Sequence, residues 1–175
     1  MTRLALLLVL ALSACGTPAW RDAAIPVRPA MGFELDRYLG EWYEIARFPN
    51  RFEEGCTDVT AAYDLNEDGT VAVTNSCPNR DEMAEGTAET TDDPAVLRVS
   101  FAPGWVPFAT ADYIVIWVDQ GYQTAVVASP EAGLGWILAR DRQPDAARLE
   151  EARDVLRANG YDPSALIEPV QVTGL

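Results

Sequence analysis

From Gly40 onward the chain alternates apolar and polar residues in short runs, each closed by turn-forming residues. The runs are Gly40 to Phe48, Thr57 to Leu65, Thr70 to Ser76, Met83 to Thr90, Ala95 to Phe101, Asp112 to Asp119, Tyr122 to Ser129 and Leu134 to Arg140. Asn66-Glu67-Asp68-Gly69 separates the second from the third, and an Asp-Gly step between alternating runs signals a hairpin. No interval before Arg140 can hold a crossover helix, so antiparallel up-and-down order is the economical topology. The period then changes and predicts a helix over 144–159, with Pro144 in its first turn and Gly160 beyond its end. Leu149, Ala152, Val155 and Leu156 form its apolar stripe, and Asp145–Arg148, Glu150–Arg153 and Asp154–Arg157 its solvated face. Leu166 to Val172 adds a short final strand.

Eight antiparallel strands close into an all-β up-and-down barrel with room for one small ligand, the helix packing outside. Period two places Val59, Ala61 and Tyr63 on one face, as it does Val71 and Val73, and Leu97, Val99 and Phe101. The candidate lining adds Tyr113, Val115 and Trp117. In the first run Glu44 shares parity with Trp42, Ala46 and Phe48, so all four are expected to point inward. Gly86 and Ala88 are small and leave volume. The alternative is a solid core without a cavity. A buried Glu44 must be paired, hydrogen-bonded or protonated. It either meets a ligand's polar end or is satisfied by Tyr63 or Tyr113.

Composition narrows the chemistry. The 175 residues carry 13 basic groups, all arginine, against 27 acidic ones, and contain neither histidine nor lysine. Imidazole-ligated metalloenzymes, Ser-His hydrolases, Schiff-base enzymes and histidine-held haem are thereby excluded. A net charge of −14 argues against a nucleic-acid partner, because phosphate binding needs clustered cations. No metal or other cofactor is expected.

The amino terminus reads as an address. Arg3 precedes an apolar run from Leu4 to Ala14, too short to cross a bilayer, which needs ~20 helical residues. Leu12-Ser13-Ala14-Cys15 resembles the bacterial lipobox. That resemblance implies removal of residues 1–14, a diacylglycerol on Cys15, an acylated amino terminus and membrane attachment. Gly16 in place of Asp points to the outer membrane rather than the inner. The other reading is an ordinary secreted protein. Residues 15–36, with Pro18, Pro26 and Pro29, suit a semi-extended tether able to turn the barrel mouth towards the membrane or away from it. The domain proper is 37–175. Cys56 and Cys77 remain as a pair in an oxidising compartment, either bonded or two free thiols.

The strand Gly40-Glu41-Trp42-Tyr43-Glu44-Ile45-Ala46-Arg47 resembles the Gly-x-Trp opening of the lipocalins. Asp112-Tyr113 is similar to their second motif, with Ala111 replacing its Thr, and Trp136-Ile137-Leu138-Ala139-Arg140 to their third. The stretch Tyr38 to Glu53 is similar to bacterial outer-membrane lipocalins of the Blc type. This resemblance implies a membrane-anchored, periplasm-facing calyx that binds a fatty acid or lysophospholipid, for lipid storage or transport in envelope maintenance under stress. It also implies a homodimer, and a binding protein rather than an enzyme. A filled structural or interaction lipoprotein and a calyx isomerase are the other readings.

Gly40, Trp42, Asp112 and Arg140 are motif residues with structural roles. Trp42 begins the first strand and Arg140 ends the last, so a guanidinium stacked on the indole closes that end. The opposite end is then the mouth. It carries Pro49 to Gly55, Cys77 to Glu82, Ala102 to Thr110 and Pro130 to Gly133. Trp105 in the third of these suits contact with lipid or ligand, or folds inward as a lid. Arg51 and Arg80 are candidates for an anionic head group. Their alternative is pairing with Glu53, Glu54, Asp81 or Glu82.

Overall fold

The alternating runs hydrogen-bond in chain order into one closed barrel, β1 through β8, each strand antiparallel to the next and β8 returning to β1. The computed structural model describes residues 19–102 and 110–172. The strands are β1 (Gly40–Arg47), β2 (Thr60–Leu65), β3 (Val71–Cys77), β4 (Glu82–Thr90), β5 (Val96–Ser100), β6 (Thr110–Val118), β7 (Thr124–Ser129) and β8 (Leu134–Ala139). A single turn, α1 (Leu35–Tyr38), precedes them, and α2 (Ala146–Ala158) follows. Asp145 caps α2 by accepting from the backbone N–H groups of Ala147 and Arg148, satisfying donors the helix leaves open. Pro144 thus falls just outside the helix. Ala152 and Leu156 are buried beneath it, against the outside of β6 and β7.

Two apolar clusters divide the molecule. The inner one holds Trp42, Tyr63, Val71, Val73, Ala88, Leu97, Val99, Val115, Val127 and Leu138. The outer one, between barrel and helix, holds Ile45, Ala46, Phe48, Ile114, Ile116, Val126, Ile137, Ala152, Leu156 and Tyr161. Two register shifts decide which residues join which. In β1, Glu44 pairs with Leu138 but Ala46 pairs with Ile137. In β6, Val115 pairs with Val127 but Trp117 with Val126. Each bulge adds one residue and inverts the parity beyond it. Ala46, Phe48 and Trp117 therefore lie on the outer face, contrary to the uninterrupted period-two reading.

Leu166 to Val172 is not a regular strand. Arg47 and Ile167 exchange both backbone hydrogen bonds, at 2.9 and 2.8 Å, and Asp58 donates to the Val170 carbonyl. The segment fills the wedge where β1 and β2 part.

Residues 20–36 also differ from the expected tether, for they are bound to the body. Trp20 Nε1 donates to the Gly133 carbonyl at 2.9 Å, and its ring stacks on Phe48. Arg21 bridges to Tyr161, Arg28 N donates to Asn159 Oδ1, and Ala30 N donates to the Val115 carbonyl. Phe33 then packs on Tyr38 and Tyr122 at the far end. The segment thus runs down the barrel wall from the mouth to the closed end.

Candidate functional site

The closed end is built from the motif residues. The Arg140 guanidinium lies 3.8 Å from the centre of the Trp42 ring and donates to the carbonyls of Glu41, Tyr38 and Leu39. Trp42 Nε1 donates to the Tyr38 carbonyl at 2.7 Å. Gly40 adopts φ +94°, which favours glycine, and a Cβ there would sit 3.4 Å from Arg140 Nη1. Asp112 lies opposite Arg98 across β5 and β6, on the outer face.

Above this plug the interior has a polar floor. Tyr113 Oη lies 2.6 Å from both Tyr38 Oη and Tyr63 Oη. Burial holds all three phenols protonated, pushing Tyr63 up to about 12 and Tyr38 and Tyr113 upward as well. Tyr38, at the end of α1, was not foreseen, because no periodicity marks a residue that enters the barrel from outside its strands.

Packing loosens towards the mouth. Trp42, Val71, Leu97 and Val115 are 0% exposed, whereas the inward-facing Ala84 and Ala111 are exposed and Asn75, Tyr113, Leu134 and Trp136 partly so. Gly86 leaves room for the Phe101 ring, which a Cβ would meet at 2.8 Å. Phe101, 49% exposed, follows β5 at the mouth with its ring over the inward side of Gly86.

One wall carries charge. Glu44 points inward as expected, but its partner is neither tyrosine. Arg47 Nη1 donates to Glu44 Oε1 at 2.6 Å, and Arg47 Nη2 to the Glu53 carbonyl at 2.6 Å. The β1 bulge turns Arg47 inward, which the simple alternation hides. Asn50 Nδ2 and Trp136 Nε1 donate to Glu53 Oε2. Burial, then the neighbouring Glu53 carboxylate, push Glu44 up to about 8 against the pull of Arg47. Glu44 and Arg47 are 2% and 3% exposed, and Arg47 Nε has no hydrogen-bond partner.

Arg47 also lines a cleft of about 380 Å³ at the rim, with Pro49, Asn50, Arg51, Glu54, Gly55 and Ile167. Among the described residues Arg51 has no ion-pair partner, while Arg80 pairs with Glu82 at 2.8 Å and donates to the Glu54 carbonyl. Pairing thus holds for Arg80. Cys56 and Cys77 form a disulfide, with Cα atoms 5.4 Å apart, and Val59 packs on it. Asp58, between Cys56 and β2, has a φ of +54°, and strand pairing begins only at Thr60. Cys15 and Trp105 lie outside the described residues. No group of three or more potential metal ligands occurs among the described residues.

This architecture has known relatives. Temperature-induced lipocalin-1 of Arabidopsis thaliana is 37% identical over 144 residues, 77% of each chain. Outer membrane lipoprotein Blc of Escherichia coli K12 is 40% identical over 141 residues, again 77% of each. Apocrustacyanin C2, at 12% identity, shares the fold, with a TM-score of 0.62 over 89% of this chain and 93% of that one. The lipocalin-like domain matches residues 33–171, and with these identities the chain belongs to the lipocalin family.

Proposed function

We propose that the chain is a membrane-anchored carrier of a single-chain lipid, a fatty acid or lysophospholipid, held with its acyl tail in the barrel. The observation that carries this is the gradient of interior packing. Large residues fill the closed end completely, while alanines and glycine leave the upper interior open to solvent. Ala61, Tyr63, Val73, Leu97, Val99, Tyr113 and Val115 are the lining for the tail, with Val59 beside the disulfide. The polar end lies at the rim, within reach of Arg51 and the Glu44–Arg47 pair. Arginine's planar fork suits carboxylate or phosphate.

Cys15 carries the anchor in this reading, and the outer membrane is its site, as in the relatives named outer membrane lipoproteins. Lipid storage or transport in envelope maintenance follows as the role. Catalysis forms no part of it, because the buried groups are engaged with one another: Glu44 with Arg47, and the tyrosines in a closed set.

Native mass spectrometry of the protein extracted from its own membrane, with analysis of the released lipid, tests the proposal. One stoichiometric fatty acid or lysophospholipid is expected. A barrel that is empty on extraction and takes up neither when they are added would overturn it.

A further inference from the structure

Resting on the Cys15 anchor proposed above, we infer that the calyx mouth docks on the lipid bilayer that holds the anchor, so that ligand passes between barrel and membrane without crossing open water. The docking of Trp20 carries this. Its indole is bound to Gly133, in the turn between β7 and β8, and it stacks on Phe48 just beyond β1. Both contacts are at the mouth. The Asp162 N–H donates to the Trp20 carbonyl at 2.9 Å, so backbone and side chain are both held.

Only five residue steps separate Trp20 from Cys15, and a fully extended chain covers at most about 18 Å in that distance. Strands of up to nine residues, tilted as a closed barrel requires, make the body on the order of 25 Å tall. The anchor therefore reaches the bilayer with the rim nearest it, and the closed end cannot take the rim's place. The helix α2 is an unsuitable alternative face, because none of its residues is an exposed large apolar side chain. The rim instead presents Phe52, 69% exposed, and Phe101, 49% exposed. Buried apolar area of this kind adds to an acyl anchor in holding a protein to a membrane.

Photocrosslinking of the full-length lipidated protein in its own membrane tests the orientation. Phe52→p-benzoylphenylalanine and Phe101→p-benzoylphenylalanine probe the rim. The same substitution at Leu65 and Met31, exposed apolar residues near the closed end, supplies the comparison. A soluble control beginning at residue 16 measures adducts formed with lipid in the calyx. Phospholipid adducts above that control at the rim positions, and none at Leu65 or Met31, are expected. Adducts at Leu65 or Met31 in a membrane-bound protein, or rim adducts no greater than the control's, would overturn the orientation while leaving the anchor standing. Loss of the lipidated protein from the membrane pellet would remove the anchor and this inference together.

Discussion

Arg47 and Glu44 face one another inside the barrel at 2.6 Å, three residues apart in a strand whose regular alternation would have set them on opposite faces. The bulge between them makes the pair possible. Because Glu44 is pushed up to about 8, the folded chain keeps a proton between pH 4.5 and 8 that the unfolded chain has released. The folded state binds more protons there, so this group's contribution is complete at the acid end and is lost as pH rises to 8. Glu44→Gln abolishes that dependence. Urea midpoints across the window should fall for the wild type relative to the variant, and parallel profiles would refute the assignment.

Truncating the other partner has a different effect. Arg47→Ala removes the hydrogen-bond donor to the buried Glu44 carboxyl and the cation nearest Glu53, and is expected to cost about 1–3 kcal/mol. Urea denaturation reads this directly. A cost below that of Glu44→Gln at neutral pH would show that the arginine is dispensable.

The same bulge explains what the sequence concealed. The barrel order, the outside helix, the Trp42–Arg140 plug and the inward Glu44 all follow from alternation, turn residues and the family motifs, each expressed within a few neighbouring residues. Ala46, Phe48 and Trp117 do not, because inserting one residue into a strand leaves no local mark yet inverts everything after it. Arg47 was hidden for that reason, and Tyr38 because it arrives from a helix. Trp20 was hidden by its proline-containing surroundings, which resemble a free linker.

Phe48 gives this correction a test. It packs between Trp20 and Tyr161 and over Gly135, outside the barrel. Phe48→Ala should cost about 3–5 kcal/mol in stability while leaving the affinity for a fatty-acid probe unchanged. A weakened affinity in protein that is still folded would return Phe48 to the lining.

Arg140 contributes through shape as much as charge, since one planar guanidinium stacks on Trp42 and meets the Glu41, Tyr38 and Leu39 carbonyls together. Lysine keeps the charge but not the fork. Arg140→Lys is expected to lose about 1–3 kcal/mol, seen as a lower urea midpoint. An unchanged midpoint would mean that the plug does not need the stack.

Asp58 ties the carboxyl-terminal segment into the wedge between β1 and β2. Its carboxylate accepts from Arg142 Nε at 2.8 Å and from the Val172 N–H, its own N–H donates to Val170, and Arg142 lies over the Tyr43 ring. The hydrogen bond from Arg142 holds the Asp58 carboxyl below the usual range. The backbone at Asp58 has a positive φ, so Asp58→Gly relieves the conformation while deleting the carboxylate. That separates the two roles of the residue. Amide hydrogen exchange should accelerate at Ile167 and Val172 in Asp58→Gly, leaving β5 and β6 protected. Unchanged exchange would show that Arg47 and the Gln171 bond to the Glu44 carbonyl hold the segment without Asp58.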